Sequence, residues 1–198
     1  MALGFGFNKT KVLAAAEKNV QQGKFENAIK EYQKVVKADP KDQTVLNTIG
    51  DLYSRLGQSE QAILYFKKVG DTYATDGFTV KAIAMYKKIT KLTPGAADCI
   101  LKLAEMYTQQ GLYNDARSQY MQVAEAFMRN ADLPSAARIF QKMLELDPEN
   151  AAMQSRLADI YMRIGKKDEA RSIFFSAMTR SRRTSPSGFQ SMKLIKKR

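Results

Sequence analysis

The chain has 198 residues, with 32 Lys and Arg against 20 Asp and Glu, a net charge of +12. It has no His, no Trp and one Cys, Cys99, which excludes a His-dependent triad, a His-ligated metal site and a disulfide framework. With 44% apolar residues the chain can bury a core, while 11 Gly and 5 Pro are too few for the many turns of an all-β fold. The expected class is all-α.

The start, MALGFGFNKTK, lacks a basic leader followed by an apolar run and a small-residue cleavage site. Gly4 is not at position 2, so a myristoylation reading fails. No stretch approaches the roughly 18 uninterrupted apolar residues of a membrane span. The expected compartment is the cytoplasm, and a lone Cys agrees with that. Phe5 and Phe7, in an N-terminal cap or disordered segment over 1–8, either cover the first helices or stay loose.

From there the apolar residues fall at helical spacing. Phe25, Ala28 and Tyr32 mark one helix. Leu46, Ile49, Gly50 and Tyr53 make one face of a second; Ala62, Phe66, Val69 and Tyr73 a face of a third; Ala82, Tyr86, Ile89 and Leu92 a face of a fourth. Gly57, Gly111 and Gly165 fit left-handed helix ends, Asp76-Gly77 reads as a turn, and Asp132 can cap a helix carrying Pro134 in its first turn. The pattern predicts ten helices: 9–22, 25–38, 43–56, 59–74, 79–92, 97–110, 113–129, 133–146, 151–164 and 167–178.

The pattern repeats. Pro40, Pro94 and Pro148 are each 54 residues apart. Residues 43–96 laid over 97–150 share eight identities, among them Tyr53/Tyr107, Gly57/Gly111, Ala62/Ala116 and Ala82/Ala136. A third copy begins at Ala151 with Leu157, Ala158, Tyr161, Gly165, Ala170 and Phe174. The small residues Ala28, Ala62, Ala82, Ala116, Ala136 and Ala170 are expected where paired helices approach most closely. A larger side chain there would overpack the contact by about 1–3 kcal/mol. Phe66, Tyr86, Tyr120, Phe140 and Phe174 are expected to fill the space between neighbouring pairs.

Leu46-x2-Ile49-Gly50-x2-Tyr53, then Gly57, Ala62 and Phe66, resembles a tetratricopeptide repeat with Leu in place of the signature Trp. Lys9 to Asp42 fits one 34-residue frame, and the stretches 97–116 and 151–170 restart it. The resemblance covers residues 9–178. It implies an all-α, right-handed superhelical solenoid of antiparallel helix pairs. The 54-residue period, 34 plus 20, departs from the family's spacing and implies a three-helix unit in which helices 59–74 and 113–129 are each shared by two frames.

In the family the first helix of each pair lines a concave groove, and position 9 of the frame points towards it. That position holds an acid in six frames here: Glu17, Asp51, Asp71, Glu105, Glu125 and Asp159. Asn47, Arg55, Leu101 and Ser155 accompany the row on the same expected face. The resemblance therefore implies a non-enzymatic scaffold or adaptor holding a partner protein or basic peptide in its groove. The opposing reading is that copying of one ancestral unit repeated a solvated acid paired with a nearby Lys or Arg. The Lys, Asn and Arg clamp of the family's chaperone-binding members is not reproduced, because Glu17, Asp51 and Glu105 put acids there.

No Gly-rich phosphate loop follows a strand, no carboxylate pair is placed for acid–base work, and neither metal nor cofactor is expected. Cys99 falls in a helix's first turn, where the dipole can lower a thiol pKa, or it is a half-buried counterpart of Val45. Past Met178 the repeat register is lost. Residues 179–198 read as a basic flexible tail, with Arg180, Arg182, Arg183, Lys193, Lys196, Lys197 and Arg198 and no acid, which supplies seven of the net +12. Its competing roles are contact with nucleic acid or anionic lipid, folding back onto the acidic row, or none. Apolar end faces without polar caps would favour a homodimer.

Overall fold

The computed structural model describes the backbone of residues 7–184 and the side chains of residues 7–175. Among these residues there are ten helices and no strand: α1 (Lys9–Gln21), α2 (Phe25–Ala38), α3 (Gln43–Arg55), α4 (Ser59–Thr75), α5 (Thr79–Leu92), α6 (Ala97–Gln109), α7 (Tyr113–Arg129), α8 (Leu133–Leu146), α9 (Ala151–Arg163) and α10 (Lys167–Thr184). The chain divides into two compact units. One runs through Gln110 and holds α1–α6; the other starts at Gly111 and holds α7–α10. Within each unit, helices adjacent in sequence pack on each other.

The ends have local causes. Asn8, Asp42, Asp132 and Asn150 each accept a hydrogen bond from a backbone N–H three residues on, which opens α1, α3, α8 and α9. Lys9 Nζ sits 2.8 Å from the Asp42 carboxylate. Burial pushes the Asp42 carboxyl up, but Lys9 and the Val45 N–H outweigh it and leave it below the usual carboxylate range. At the other ends, Gly57 has φ 71° and closes α3 with a Schellman turn: its N–H reaches the Ser54 carbonyl and the Gln58 N–H reaches Tyr53. Gly111 and Gly165 take the same left-handed geometry.

Nine of the ten helices end within one residue of the sequence-based bounds. The exception is α10, which runs to Thr184 rather than 178. Nothing between Thr179 and Thr184 breaks a helix. Arg180, Arg182 and Arg183 thus lie on a helix backbone and not in a linker. Lys193, Lys196, Lys197 and Arg198 lie outside the described residues, as does Phe5.

The expected core is the observed one. The six alanines at pair crossings are 0–1% exposed. In the first unit Ala16, Ile29, Tyr32, Val35 and Ile49 anchor a cluster that Phe7 partly joins, so Phe7 covers part of that core. Phe66, Tyr86, Tyr120 and Phe140 are buried, each large side chain contributing about 1.5–3 kcal/mol by its removal from water. Phe174 corrects the expectation. It occupies the Phe66 position two copies on, yet is 49% exposed, because no helix following α10 covers it among the described residues. The third copy also buries a polar side chain. Gln154 stands where Leu46 and Ile100 stood, and its Nε2 donates to the Pro148 carbonyl at 2.6 Å.

Candidate functional site

Glu17 of α1 and Asp51 and Arg55 of α3 line one hollow of about 320 Å³ in the first unit. Its apolar walls come from Val20 of α1, Tyr32 of α2 and Leu52 of α3, and Gln21 and Thr48 complete it. Glu17 is exposed. The Tyr32 phenol is pushed up by burial first and by the Glu17 charge second. The arrangement sets a carboxylate and a guanidinium around a partly apolar floor.

Asp51 is not a free member of an acidic row. Lys88 of α5 donates to both of its carboxylate oxygens, at 2.6 and 2.9 Å, and to the Asn47 Oδ1 at 2.9 Å. The same ammonium lies 4.8 Å from the centre of the Phe66 ring. The pair is 35% and 44% exposed, so its net stabilisation is on the order of 1 kcal/mol or less. Asn47 also faces a smaller hollow of about 200 Å³ beside Gln43, Thr44, Tyr73 and Lys81. Asp71 of α4 accepts a short hydrogen bond from the Tyr86 hydroxyl. Burial, then that carboxylate, holds the Tyr86 phenol far above its ordinary range.

The remaining residues of the predicted row fall on two units. Leu101 and Glu105 are half-buried on α6. Glu125 on α7 and Ser155 and Asp159 on α9 are exposed, in the second unit. Of the ten expected groove residues, the structure gathers Glu17, Asp51 and Arg55 around one hollow and ties Asn47 to Asp51 through Lys88. Lys88 is the partner of Asp51 that the acid pattern does not show. Its signal was present, since Lys88/Lys142 is one of the eight identities between copies.

The Cys99 thiol is half-buried, and burial raises its pKa; the Lys67 charge only partly offsets this. That is opposite to what an activated nucleophile needs. Among the described residues no group of three or more His, Cys, Asp or Glu side chains could hold a metal ion. No helix of the described residues is long and apolar enough to cross a membrane.

Comparisons with known proteins agree with the repeat geometry. Tetratricopeptide repeat family models match residues 18–57, 48–76, 96–127 and 127–182. The chain is 24% identical over 172 residues to tetratricopeptide repeat protein 8 of Caenorhabditis elegans, which covers 87% of this chain but only about a third, 33%, of that protein. Among solved structures it is similar to MamA from Desulfovibrio magneticus RS-1, with 17% identity, TM-score 0.32, and 88% and 95% of the two chains covered. It is also similar to a thermophilic tetratricopeptide-repeat protein of Thermus thermophilus, with 16% identity, TM-score 0.30, and 78% and 100% covered. The sequence frames, the paired helices and four matches to one repeat type along the chain agree: this chain belongs to the tetratricopeptide repeat family.

Proposed function

We propose that the chain is a non-enzymatic scaffold whose first unit holds a segment of a partner protein in the hollow between α1 and α3. The observation that carries this reading is the juxtaposition of Glu17, Arg55 and the apolar Val20, Tyr32 and Leu52 around about 320 Å³ of open space. Lys88 neutralises Asp51, so recognition does not rest on a uniform negative stripe. Glu17 supplies the free carboxylate. A segment with a Lys or Arg for Glu17, an apolar side chain for the floor and an acid for Arg55 fits best. Complementary charge of this kind sets specificity and on-rate more than raw affinity.

The test is affinity capture from nuclease-treated host lysate with the full chain, its Glu17→Arg variant and its Asp159→Asn variant. The expected result is one protein partner, lost with Glu17→Arg and retained with Asp159→Asn. Capture indifferent to Glu17→Arg, or abolished by nuclease, overturns the reading. The second of these outcomes would place binding in the basic segment.

A further inference from the structure

The smaller hollow of the first unit, about 200 Å³, is lined from α3 by Gln43 and Asn47, from α4 by Tyr73 and from α5 by Lys81 and Met85. The Gln43 Oε1 is closed off from solvent and accepts no hydrogen bond. No other buried side-chain nitrogen or oxygen among the described residues is left so. A buried acceptor without a donor costs free energy, so its presence asks for a cause. The repeat scaffold does not supply one. Ala97 and Ala151 stand at the same place in the other copies, and α6 and α9 run for 13 residues from there, as α3 does from Gln43.

The rest of the set is also peculiar to this copy. Leu101 replaces Asn47 and Ser135 replaces Lys81 in the second. Asn47 is engaged, its Oδ1 by Lys88 and its Nδ2 by Asp51. Lys81 is exposed and forms no salt bridge among the described residues. Its ammonium lies 4.9 Å from the centre of the Phe78 ring and 5.4 Å from that of Tyr73, which holds the cation in place beside the hollow. The hollow therefore pairs an acceptor that lacks a donor with a cation that lacks a counterion. Apolar surface adjoins it. Phe78 and Val80 are 53% and 69% exposed, and Val80 shares a face of α5 with Ala84, four residues on, which also lines the hollow. Asp132 and Pro134 stand in their places in the second copy.

We propose that this hollow is a second binding site, which takes an acidic residue of a partner protein with its carboxylate on the Lys81 ammonium and a main-chain N–H on the Gln43 amide oxygen. An acidic residue within a chain carries both groups, and its neighbours bring apolar side chains to Phe78 and Val80, which a small inorganic anion would leave bare. Binding turns the Gln43 amide toward the hollow and gives its oxygen the donor it lacks. The site shares no lining residue with the hollow between α1 and α3 and does not depend on it.

The test is a titration of the isotope-labelled full chain, followed by amide NMR, with acetyl-Leu-Asp-Leu-amide and with acetyl-Leu-Asn-Leu-amide as neutral control. The acidic probe should shift the Gln43 side-chain amide and the backbone amides of Lys81 and Met85. The neutral probe, and the acidic probe on Lys81→Met, should each bind at least about fivefold more weakly, through loss of a charge-assisted hydrogen bond. Gln43→Ala should weaken binding too, with Tm unchanged or higher because the orphaned acceptor is gone. Glu17→Arg should leave the titration unchanged. Equal affinity for the two probes, shifts scattered over other exposed lysines, or no shift, as for a hollow holding water alone, would overturn the proposal. So would a fall in Tm with Gln43→Ala, which would give Gln43 a structural role, or loss of binding with Glu17→Arg, which would put the probe in the hollow between α1 and α3.

Discussion

Residues 73–81 and 127–135 are one corner of the repeat seen twice, 54 residues apart, and different side chains hold it. In both, a residue with positive φ closes a helix: Gly77 at 79° after α4 and Ala131 at 58° after α7. In both, the next N–H reaches back to an aromatic residue's carbonyl, Phe78 to Tyr73 and Asp132 to Phe127. That next residue belongs to two helices, as the last position of one turn and the cap of the following helix. Phe78 serves the helix that ends. Its ring meets Tyr73 edge-on at 6.3 Å, and Lys81 lies over both rings. Asp132 serves the helix that begins, accepting from the Ser135 N–H, and α5 has no such side-chain cap. The backbone turn is thus the inherited element. Its chemistry is exchangeable, because one position can satisfy either neighbour and not both.

The same pairing extends inward and gives the largest test. Gly70 packs where a Cβ would sit 3.0 Å from the Tyr86 ring and 3.1 Å from the Met85 Cβ. The second copy carries Ala124 at that place, fully buried, with Ile139 and Phe140 for Met85 and Tyr86. Gly70→Ala should therefore overpack the first unit by about 1–3 kcal/mol in chemical denaturation. Met85→Ile and Tyr86→Phe keep the Cβ and the ring that the methyl would meet, so adding them should not recover the loss. If Gly70→Ala alone is neutral, the two corners tolerate the methyl equally and the contrast between them fails.

A smaller and reciprocal effect separates the turn residues. An L-residue with a Cβ in the left-handed region is disfavoured by about 1 kcal/mol. Ala131→Gly should stabilise the second unit by about that amount, and Gly77→Ala should destabilise the first comparably. Packing does not complicate the change in the first unit, since nothing lies within 4 Å of a Cβ at Gly77. Equal melting temperatures for wild type and Ala131→Gly would mean that the strain is relieved elsewhere.

The cap sharpens the comparison further. Hydrogen bonds from the Ser135 side chain and backbone hold the Asp132 carboxyl below its ordinary value. A carboxyl depressed by folding stabilises above its unfolded pKa, and that stability is lost as pH falls through the folded value. Asp132→Ala should lower Tm at neutral pH by less than Gly70→Ala does. The deficit should shrink once pH drops below the ordinary value of 3.8. A deficit unchanged between pH 7 and pH 2 would show that the carboxylate is not the source.

Most of the fold was legible because it is written in periodicity. Alanines at Ala62, Ala116 and Ala170 and glycines at Gly57, Gly111 and Gly165 mark crossings and ends that local geometry enforces on any copy. The end of α10 was not legible, because loss of the apolar register at Ser181 says nothing about whether the backbone stops being helical. The candidate site was only partly legible. A frame position identifies which face an acid is on, but not whether another helix brings a partner to it. Asp51 and Asp71 hold the same frame position, yet Lys88 reaches the first and Tyr86 the second, both from α5. These contacts span 37 and 15 residues in sequence, beyond the reach of helical spacing.

The weakest difference between the copies is also the easiest to remove. Arg117 of α7 donates to Asp147, just past α8, at 3.2 Å, while the first copy has Ile63 and Thr93 there and no such pair. Both partners are 35% exposed, so desolvation is slight and attraction is screened. Asp147 keeps a second donor, the Asn150 side chain at 3.0 Å, and is not stranded when the arginine goes. Arg117→Ile with Asp147→Thr should thus change stability by under about 1 kcal/mol. In a double-mutant cycle the coupling should fall further as salt rises from about 0.1 M to about 1 M, where the screening length drops from about 10 Å to about 3 Å. A coupling well above that bound, or one insensitive to salt, would mean that the bridge organises the α7–α8 corner in a way the hydrophobic version of the first copy cannot replace.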